Sequence, residues 1–358
     1  MADNKDKKVI NVPHLRFPEF SGEWEKKRFK DVCNITTGNK NTQDKSDDGI
    51  YPFYVRSQNV ERINSWTFDG EAILTAGDGV GVGKVFHYST GKIGVHQRVY
   101  ILSDFKCDGK YLYSYFAGNF YNRVKRMSAK NSVDSVRMEM IADMPISLPS
   151  TMEQKKIGHL LALLDERIAT QNKIIEKLES LIKGIAHRVA GMGKPNVRIA
   201  ECLECTSSTL QESEVSDLGT YPVYGANGIV GFLDSYNTPD KAIYIVKDGS
   251  GVGSVAYVKG KCSATGTLNI LTAKQDYSLQ FLYYLLKVFN FEPYKTGMAI
   301  PHIYFKDYGK AKIFCSSYSK QLRYAKMLEA IDAKLLIEQK ILISLNSQKQ
   351  YLLRQMFI

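Results

Sequence analysis

The sequence predicts an α+β protein that is built as an internal repeat. Two β-rich modules are each followed by a long helix, and the two helices are expected to pair antiparallel about a pseudo-two-fold axis. Short motifs repeat 170 residues apart: Tyr51-Pro52-Phe53-Tyr54 returns as Tyr221-Pro222-Val223-Tyr224. The glycine-rich stretch 78–83 likewise returns at 248–253. Two stretches with a heptad pattern of apolar residues follow the modules at nearly the same spacing.

Composition sets the class of protein and one class of partner. The chain has 358 residues, enough for two or three domains, and its 44% hydrophobic and 24% charged residues are ordinary for a globular protein. A net charge of +11 favours a polyanion such as nucleic acid. The first residues, 1–8, form no signal peptide, no run of about 18 apolar residues is present, and the six cysteines are interpreted as reduced thiols. These observations predict a cytoplasmic protein without a membrane contact.

The first module is predicted over 14–149, after a segment 1–13 that is expected to be flexible. Short apolar or alternating runs broken by Gly, Asp and Asn indicate strands near 51–55, 72–75, 84–87 and 99–102, and an amphipathic helix is predicted over 111–126. The second module, predicted over 195–316, repeats this order. Its strands are expected at 242–246, 255–258 and 268–271, and its helix at 279–289.

The glycine loops at 78–83 and 248–253 do not match a nucleotide-binding motif. A P-loop needs glycine five positions before its Gly-Lys pair, where the first loop has Asp78, and the second loop has Ser254 in place of the lysine. We therefore predict tight turns that need positive φ. Such turns can still approach a phosphate backbone closely.

Polar side chains beside the predicted strands are the candidates for recognition. Arginine suits guanine and Asn or Gln suits adenine, through paired hydrogen bonds to base edges. The residues predicted to read bases are Arg56, Gln58, Asn59, His96, Gln97, Arg98, Asn227, Thr265 and Thr267. The residues predicted to bind phosphates are Lys84, Arg126, Lys130 and Lys295. An ordinary solvated role remains the alternative for each. No catalytic residue and no metal site is predicted, since Cys202 and Cys205 form a lone CxxC without a second pair of ligands.

The first long helix is predicted over 150–190. Ser150 and Glu153 have the spacing of a capping box after Pro149, and Gly191 and Pro195 end the segment. Apolar residues then alternate at steps of four and three. The predicted seam is Ile157, Leu161, Leu164, Ile168, Gln171, Ile175, Leu178, Ile182 and Ile185.

The second long helix, predicted over 317–356, repeats this register 167 residues later. Its seam is Tyr324, Leu328, Ile331, Leu335, Glu338, Leu342, Leu345, Lys349 and Leu352. The polar residue falls at the same place in both seams, where it can fix the register of a coiled coil. Each helix of about 35 residues would span about 50 Å, enough to separate half-sites about 34 Å apart on DNA. The alternative is two amphipathic helices, each packed on its own module.

Several segments resemble the specificity subunit of type I restriction–modification enzymes. These are 13–20 with Gly22-Glu23-Trp24, the paired Tyr-Pro-x-Tyr motifs, 145–157, and 296–303. The resemblance covers nearly the whole chain. Two departures stand out: the second helix start, Ser319-Lys320-Gln321, keeps only the glutamine that matches Gln154, and 128–133 replaces the Gly-x-Ala-x-Pro stretch of the second module.

The resemblance implies a non-catalytic DNA reader used in host defence. Two target recognition domains would each read half of a bipartite, asymmetric target, and the coiled-coil helices would set the gap. The helices, with Trp24 as a further candidate, would dock two modification subunits that methylate adenine at N6 with S-adenosylmethionine. Restriction subunits would add ATP- and Mg²⁺-dependent cleavage, so this chain would itself bind no cofactor. Alternatives from other classes are a coiled-coil scaffold and a self-contained DNA-modifying enzyme.

Overall fold

The computed structural model describes residues 11–127, 135–249, 251–297 and 299–358. The chain divides into two compact units. The first contains the chain up to Gln171 together with Ile341–Ile358, and the second is Asn172–Lys340. No helix within the described ranges is long and apolar enough to cross a membrane.

In the described part of the first unit there are eight strands, three short or medium helices and parts of two long helices. Its elements are β1 (Glu25–Arg28), α1 (Phe29–Val32), β2 (Asn34–Thr37), β3 (Tyr51–Tyr54), β4 (Glu61–Ile63), β5 (Phe68–Ala76), β6 (Phe86–Val95), β7 (Val99–Ser103), α2 (Gly109–Met127), α3 (Met138–Ala142) and β8 (Pro145–Leu148).

Six of these strands form one sheet in the order β2-β7-β5-β6-β3-β4, in which β3 runs parallel to β6 and the other pairs are antiparallel. Alternation along β5 gives the sheet two apolar faces. Ile73 packs in the cluster around α2, while Ala72 and Leu74 pack with Tyr54 in a second cluster. Side chains beyond the carboxyl ends of β3 and β6 are thereby held on a rigid support.

Described segments from the N-terminal and C-terminal parts of the chain complete the core of the first unit. Phe357 is buried, with its ring centroid 5.2 Å from that of Tyr111 in α2. The N–H of Leu15 donates to the carbonyl of Gln355 at 2.9 Å. Trp24 is 3% exposed within the same core, so the docking role predicted for its ring is wrong: burial leaves no surface to present.

The second unit repeats the elements of the first. They are β9 (Val197–Arg198), α5 (Ile199–Cys202), β10 (Leu203–Ser207), β11 (Tyr221–Gly225), β12 (Gly228–Leu233), β13 (Ala242–Val246), β14 (Val255–Val258), β15 (Ser263–Ala264), β16 (Leu268–Ala273), α6 (Leu279–Lys287), α7 (Phe305–Tyr308) and β17 (Lys312–Ile313).

The pairing of residues between neighbouring strands is the same in both units. Ile73 of β5 lies opposite Leu102 of β7, and Ile243 of β13 lies opposite Leu271 of β16. One difference concerns the strand β6: its counterpart is divided into β14 and β15 around Gly260, which has φ +82°. The six-stranded sheet of the first unit therefore corresponds to sheets of four and three strands in the second. The α+β class and the internal repeat are confirmed.

The two long helices are α4 (Thr151–Ala190) and α8 (Tyr318–Gln355), against predicted ranges of 150–190 and 317–356. Every predicted seam position is buried or half-buried, including Gln171 and Glu338. In the first unit, Lys349 pairs with Asp165, and Ile157 shares a core with Phe357. Ile157 precedes Asp165 in the chain, whereas its neighbour Phe357 follows Lys349, so the two segments run antiparallel.

The helix segments of the second unit show the same direction. The Tyr324 hydroxyl lies 3.3 Å from the sulfur of Met192, and Leu335 lines a cavity with Ile182. Leu335 follows Tyr324 in the chain, whereas its neighbour Ile182 precedes Met192, so the two segments are antiparallel here as well.

The start of α4 is held by contacts that its capping sequence does not reveal. The Ser150 hydroxyl accepts from the N–H of Glu153 at 3.4 Å, as predicted. The Glu153 carboxylate, which is fully buried, accepts two hydrogen bonds from Arg16 at 2.7 and 2.8 Å. The N-terminal segment therefore neutralises the acidic residue of the predicted capping box.

A buried glutamine repeats at the start of both long helices. Gln154 accepts from the N–H of Asp108 at 3.0 Å and donates to the carbonyl of Pro149 at 2.8 Å. Gln321 accepts from the N–H of Ser278 at 2.9 Å and donates to the carbonyl of Ser316 at 2.8 Å. In each unit the amide joins the start of the module's helix, α2 or α6, to the start of a long helix.

Candidate nucleic-acid interface

The glycine loops are tight turns with left-handed backbone. Gly79 and Gly83 have φ of +78° and +65°, and the N–H of Val82 donates back to the carbonyl of Gly79 at 3.1 Å. Gly249 and Gly253 of the second loop have φ of +93° and +90°. The prediction of turns that need positive φ is confirmed.

The first loop carries an aspartate that joins two predicted reading residues. Arg56 follows β3 and Arg98 precedes β7, yet both reach Asp78. Arg56 Nη1 lies 2.8 Å from Asp78 Oδ1, and Arg98 Nη1 lies 3.2 Å from Asp78 Oδ2. One carboxylate thus holds two guanidinium groups, and the three together keep a local charge of +1.

His96 and Gln97 line the same open cleft, together with Asn41 and Thr42. The Gln97 amide donates to Asn41 Oδ1 at 2.7 Å, which fixes its orientation. The backbone N–H of Arg98 donates to Nδ1 of His96 at 3.0 Å, so the proton of the neutral ring belongs on Nε2, 3.3 Å from the Thr42 hydroxyl. Burial, followed by the nearby arginines, lowers the pKa of His96 below its ordinary value. The cleft therefore presents its positive charge through Arg56 and Arg98 while the histidine stays neutral.

The remaining predicted residues of the first module lie on its surface but outside this cleft. Gln58 and Asn59 are exposed after Arg56, in a loop where the Ser57 hydroxyl donates to the Asn59 carbonyl at 3.0 Å. Lys84 is exposed, with its Nζ 5.7 Å from the centroid of the Tyr121 ring, and Arg126 is exposed near the end of α2. Lys130 lies outside the described residues. Their contacts with DNA stay predictions.

The predicted base-reading residues of the second module have short side chains. Asn227 is exposed in the turn between β11 and β12, and Thr267 is half-buried. Thr265 is 1% exposed and shares a hydrogen bond of 2.8 Å with Thr267, so its burial argues against the predicted base contact. Lys295 is half-buried and pairs with Glu292 at 2.6 Å. This pairing reduces the charge that Lys295 offers to a phosphate.

Backbone hydrogen bonds make these positions equivalent to those of the first cleft. The N–H of Gly77 donates to the carbonyl of Arg98 at 2.8 Å, and that of Lys247 donates to the carbonyl of Thr267 at 2.9 Å. The backbone N–H of Gln97 donates to the carbonyl of Lys40 at 2.8 Å, and the backbone N–H of Gly266 donates to the carbonyl of Leu210 at the same distance. The frame is shared, and the side chains that it carries differ.

A pair of residues in the second module was not predicted as a site. Asp248, the counterpart of Asp78, has its Oδ1 2.6 Å from Nδ1 of His302. The backbone brings them together, because the N–H of Gly249 donates to the carbonyl of Pro301 at 3.0 Å. The repeat of the aspartate was the signal in the sequence, and the histidine lay in a motif used only for the family resemblance.

Fold and site together define a protein with two modules that share one backbone frame, carry different polar side chains at equivalent positions and are connected by two long helices. The sequence belongs to the family described as the type I restriction modification DNA specificity domain, whose model matches residues 21–180 and 196–347.

Individual relatives agree with this assignment. The chain is 27% identical over 161 residues to the type I restriction enzyme EcoDI specificity subunit of Escherichia coli, which covers 45% of this chain and 35% of the relative. It thus spans about a third of that relative's length. The crystal structure of a type I restriction-modification S subunit from M. genitalium has a TM-score of 0.75 at 19% identity and covers 97% of this chain and 99% of its own. A structure reported for complex assembly and conformational transition of the type I R-M system has a TM-score of 0.50 at 13% identity, over 92% and 96%. At these identities the structures establish the fold.

Proposed function

We propose that this chain is the DNA-reading subunit of a type I restriction–modification complex, with each module reading one half of a bipartite, asymmetric target. One observation carries the proposal. The backbone frame of the two modules is the same, whereas the side chains at equivalent positions differ: Arg56 corresponds to Ala226, and Arg98 to Thr267. A duplicated frame with different polar surfaces suits two different base sequences.

The long helices would fix the separation of the two blocks and dock two modification subunits. Each helix passes from one unit into the other, and 40 residues in α4 correspond to about 60 Å of helix. S-adenosylmethionine, ATP and Mg²⁺ would be used through the modification and restriction subunits. This chain would select the DNA site and leave the chemistry to them.

Binding of the full chain together with its modification partner to labelled duplexes tests this proposal. We expect binding to need two short sequence blocks at one fixed separation. Indifference to the separation would contradict the proposal, and absence of sequence selectivity would favour the scaffold alternative. Methyl transfer from S-adenosylmethionine by the chain alone would favour the enzyme alternative.

The role of the helices is tested by removing one heptad from each in the same register, residues 171–177 and 338–344. The coil is expected to persist and to be about 10 Å shorter, so the accepted gap should shrink by about three base pairs. The control removes one heptad from α4 alone, which breaks the matching of the seams and should abolish binding. An unchanged gap in the double deletion would mean that the spacing is set elsewhere.

A further inference from the structure

We propose that Asp78 is a positioning residue that aligns Arg56 and Arg98 to read guanine, and that this readout belongs to the first module alone. The inference rests on the proposed function, since it names the base class that one module would recognise. Guanine offers two acceptors, O6 and N7, on its major-groove edge, and a guanidinium matches them with paired N–H groups.

The geometry of the two ion pairs suits this role. Each oxygen of Asp78 receives one guanidinium, through Nη1 of Arg56 at 2.8 Å and Nη1 of Arg98 at 3.2 Å. The arginine side chains are 46% and 63% exposed, whereas the aspartate is 22% exposed. A guanidinium has five N–H donors, and the contact with Asp78 uses one Nη1 group of each. The carboxylate therefore lies behind two exposed donor groups and restricts their rotamers.

The glycine loop is built against the backbone of both arginines. A Cβ on Gly81 would lie 2.4 Å from the carbonyl oxygen of Arg56, so only glycine lets the loop approach so closely. On the other side, the N–H of Gly77 donates to the carbonyl of Arg98. The loop that carries Asp78 thus touches both arginine segments through its backbone and both arginines through its side chain. The loop therefore positions the two arginines in addition to connecting β5 to β6.

The second module keeps the aspartate and lacks its two partners. Ala226 and Thr267 occupy the positions of the arginines, and Asp248 binds His302 instead. Neither alanine nor threonine can form a paired contact with guanine O6 and N7. Asp248 is therefore a matched control for Asp78, since it has the same place in the frame and a different partner.

The test is selection of bound sites from a randomised duplex library by the full chain together with its modification partner, with Asp78→Ala, Asp248→Ala and Arg98→Lys as variants. The wild type should select a two-block motif with guanine in one block. Arg98→Lys should lower the preference for guanine there by about tenfold or more, because a bidentate contact is lost, and leave the other block unchanged. Asp78→Ala should lower the same preference and leave the other block unchanged, because the two guanidinium groups lose the carboxylate that aligns them. Asp248→Ala should leave the guanine positions unchanged.

The outcomes separate the inference from the proposed function. A wild-type chain that selects no two-block motif would refute the proposed function. A two-block motif without guanine in either block, or with undiminished guanine preference in folded Asp78→Ala, would refute the inference and leave the proposed function standing. If Asp78→Ala does not fold by circular dichroism, Asp78→Asn decides the question, since asparagine keeps the size of the side chain and loses the charge that holds both guanidinium groups.

Discussion

The duplicated glutamines predict that one substitution can destabilise one unit at a time. We consider Gln154→Leu in the first unit and Gln321→Leu in the second, since leucine is similar in size and cannot form hydrogen bonds. The glutamines are 5% and 2% exposed. Water therefore cannot replace the lost bonds without opening the packing around them.

The magnitude follows from the groups that each substitution leaves unpaired. Gln154→Leu removes two hydrogen bonds, each worth about 1 kcal/mol net. It also leaves the N–H of Asp108 and the carbonyl of Pro149 without this partner in a largely dry site, where an unsatisfied group costs about 1–3 kcal/mol. We expect a loss of about 2–4 kcal/mol in the free energy of unfolding of the first unit. The same reasoning gives a similar loss for the second unit in Gln321→Leu.

Hydrogen exchange measured by mass spectrometry, combined with denaturant unfolding, resolves the two units. Gln154→Leu should increase exchange in peptides from 14–149, and Gln321→Leu in peptides from 195–316. The exposed Gln350→Leu is the control and should change stability by no more than about 0.5 kcal/mol. If both buried substitutions behave like this control, or if each one affects the opposite unit, the assigned role of the glutamines is refuted.

Three further predictions concern the first unit. Arg16→Ala should cost about 3–5 kcal/mol because it leaves the buried Glu153 carboxylate without its charge partner, and thermal unfolding that matches the wild type would contradict this. Phe357→Ala should cost about 3–5 kcal/mol by opening a cavity in the core, and exchange should rise in the first unit alone; an increase in the second unit only would argue against the docking of the C-terminus. Because the pKa of His96 is lowered in the folded chain, the unfolded chain binds a proton at a higher pH than the folded chain does. The contribution of His96 to the free energy of unfolding is therefore complete above about pH 6.5 and decreases as the pH falls below that value. His96→Gln should reduce that decline in a series of melting temperatures, whereas the exposed His14→Gln should leave it in place, and identical curves for the two variants would contradict the assignment.

The repeat and both long helices could be predicted because their signals are local and periodic. Heptad spacing alone located the seam, and every seam position is buried or half-buried. Contacts between distant parts of the chain leave no such signal. The pairing of Arg16 with Glu153 joins residues 137 apart, and Phe357 enters a core formed by the first module. Only the folded chain shows that residues 11–24 and Ile341–Ile358 belong to the same unit.

For the site, residue type predicted the chemistry, and the structure supplied the arrangement. Arg56 and Arg98 were candidates because of what guanidinium groups bind, but their meeting at Asp78 depends on the order β7-β5-β6-β3 in the sheet, in which β5 precedes Asp78. Asp78 itself was interpreted only as part of a turn. Thr265 was chosen by its place in the repeat, which gives no information on burial.

Under the proposed function, the division between frame and cleft would give a module of this kind a way to change its target. The contacts that define the frame are backbone hydrogen bonds, glycine turns and buried glutamines, and they recur in both modules whatever the exposed side chains are. Arg56, Gln97 and Arg98 are exposed, and exposed ion pairs contribute at most about 1 kcal/mol to stability. Substitution at these positions is therefore expected to cost the fold little, which under the proposed function would leave base preference free to change. The loop aspartate constrains such change, because a new partner for its carboxylate must come from a segment that the frame already brings close, as His302 does for Asp248.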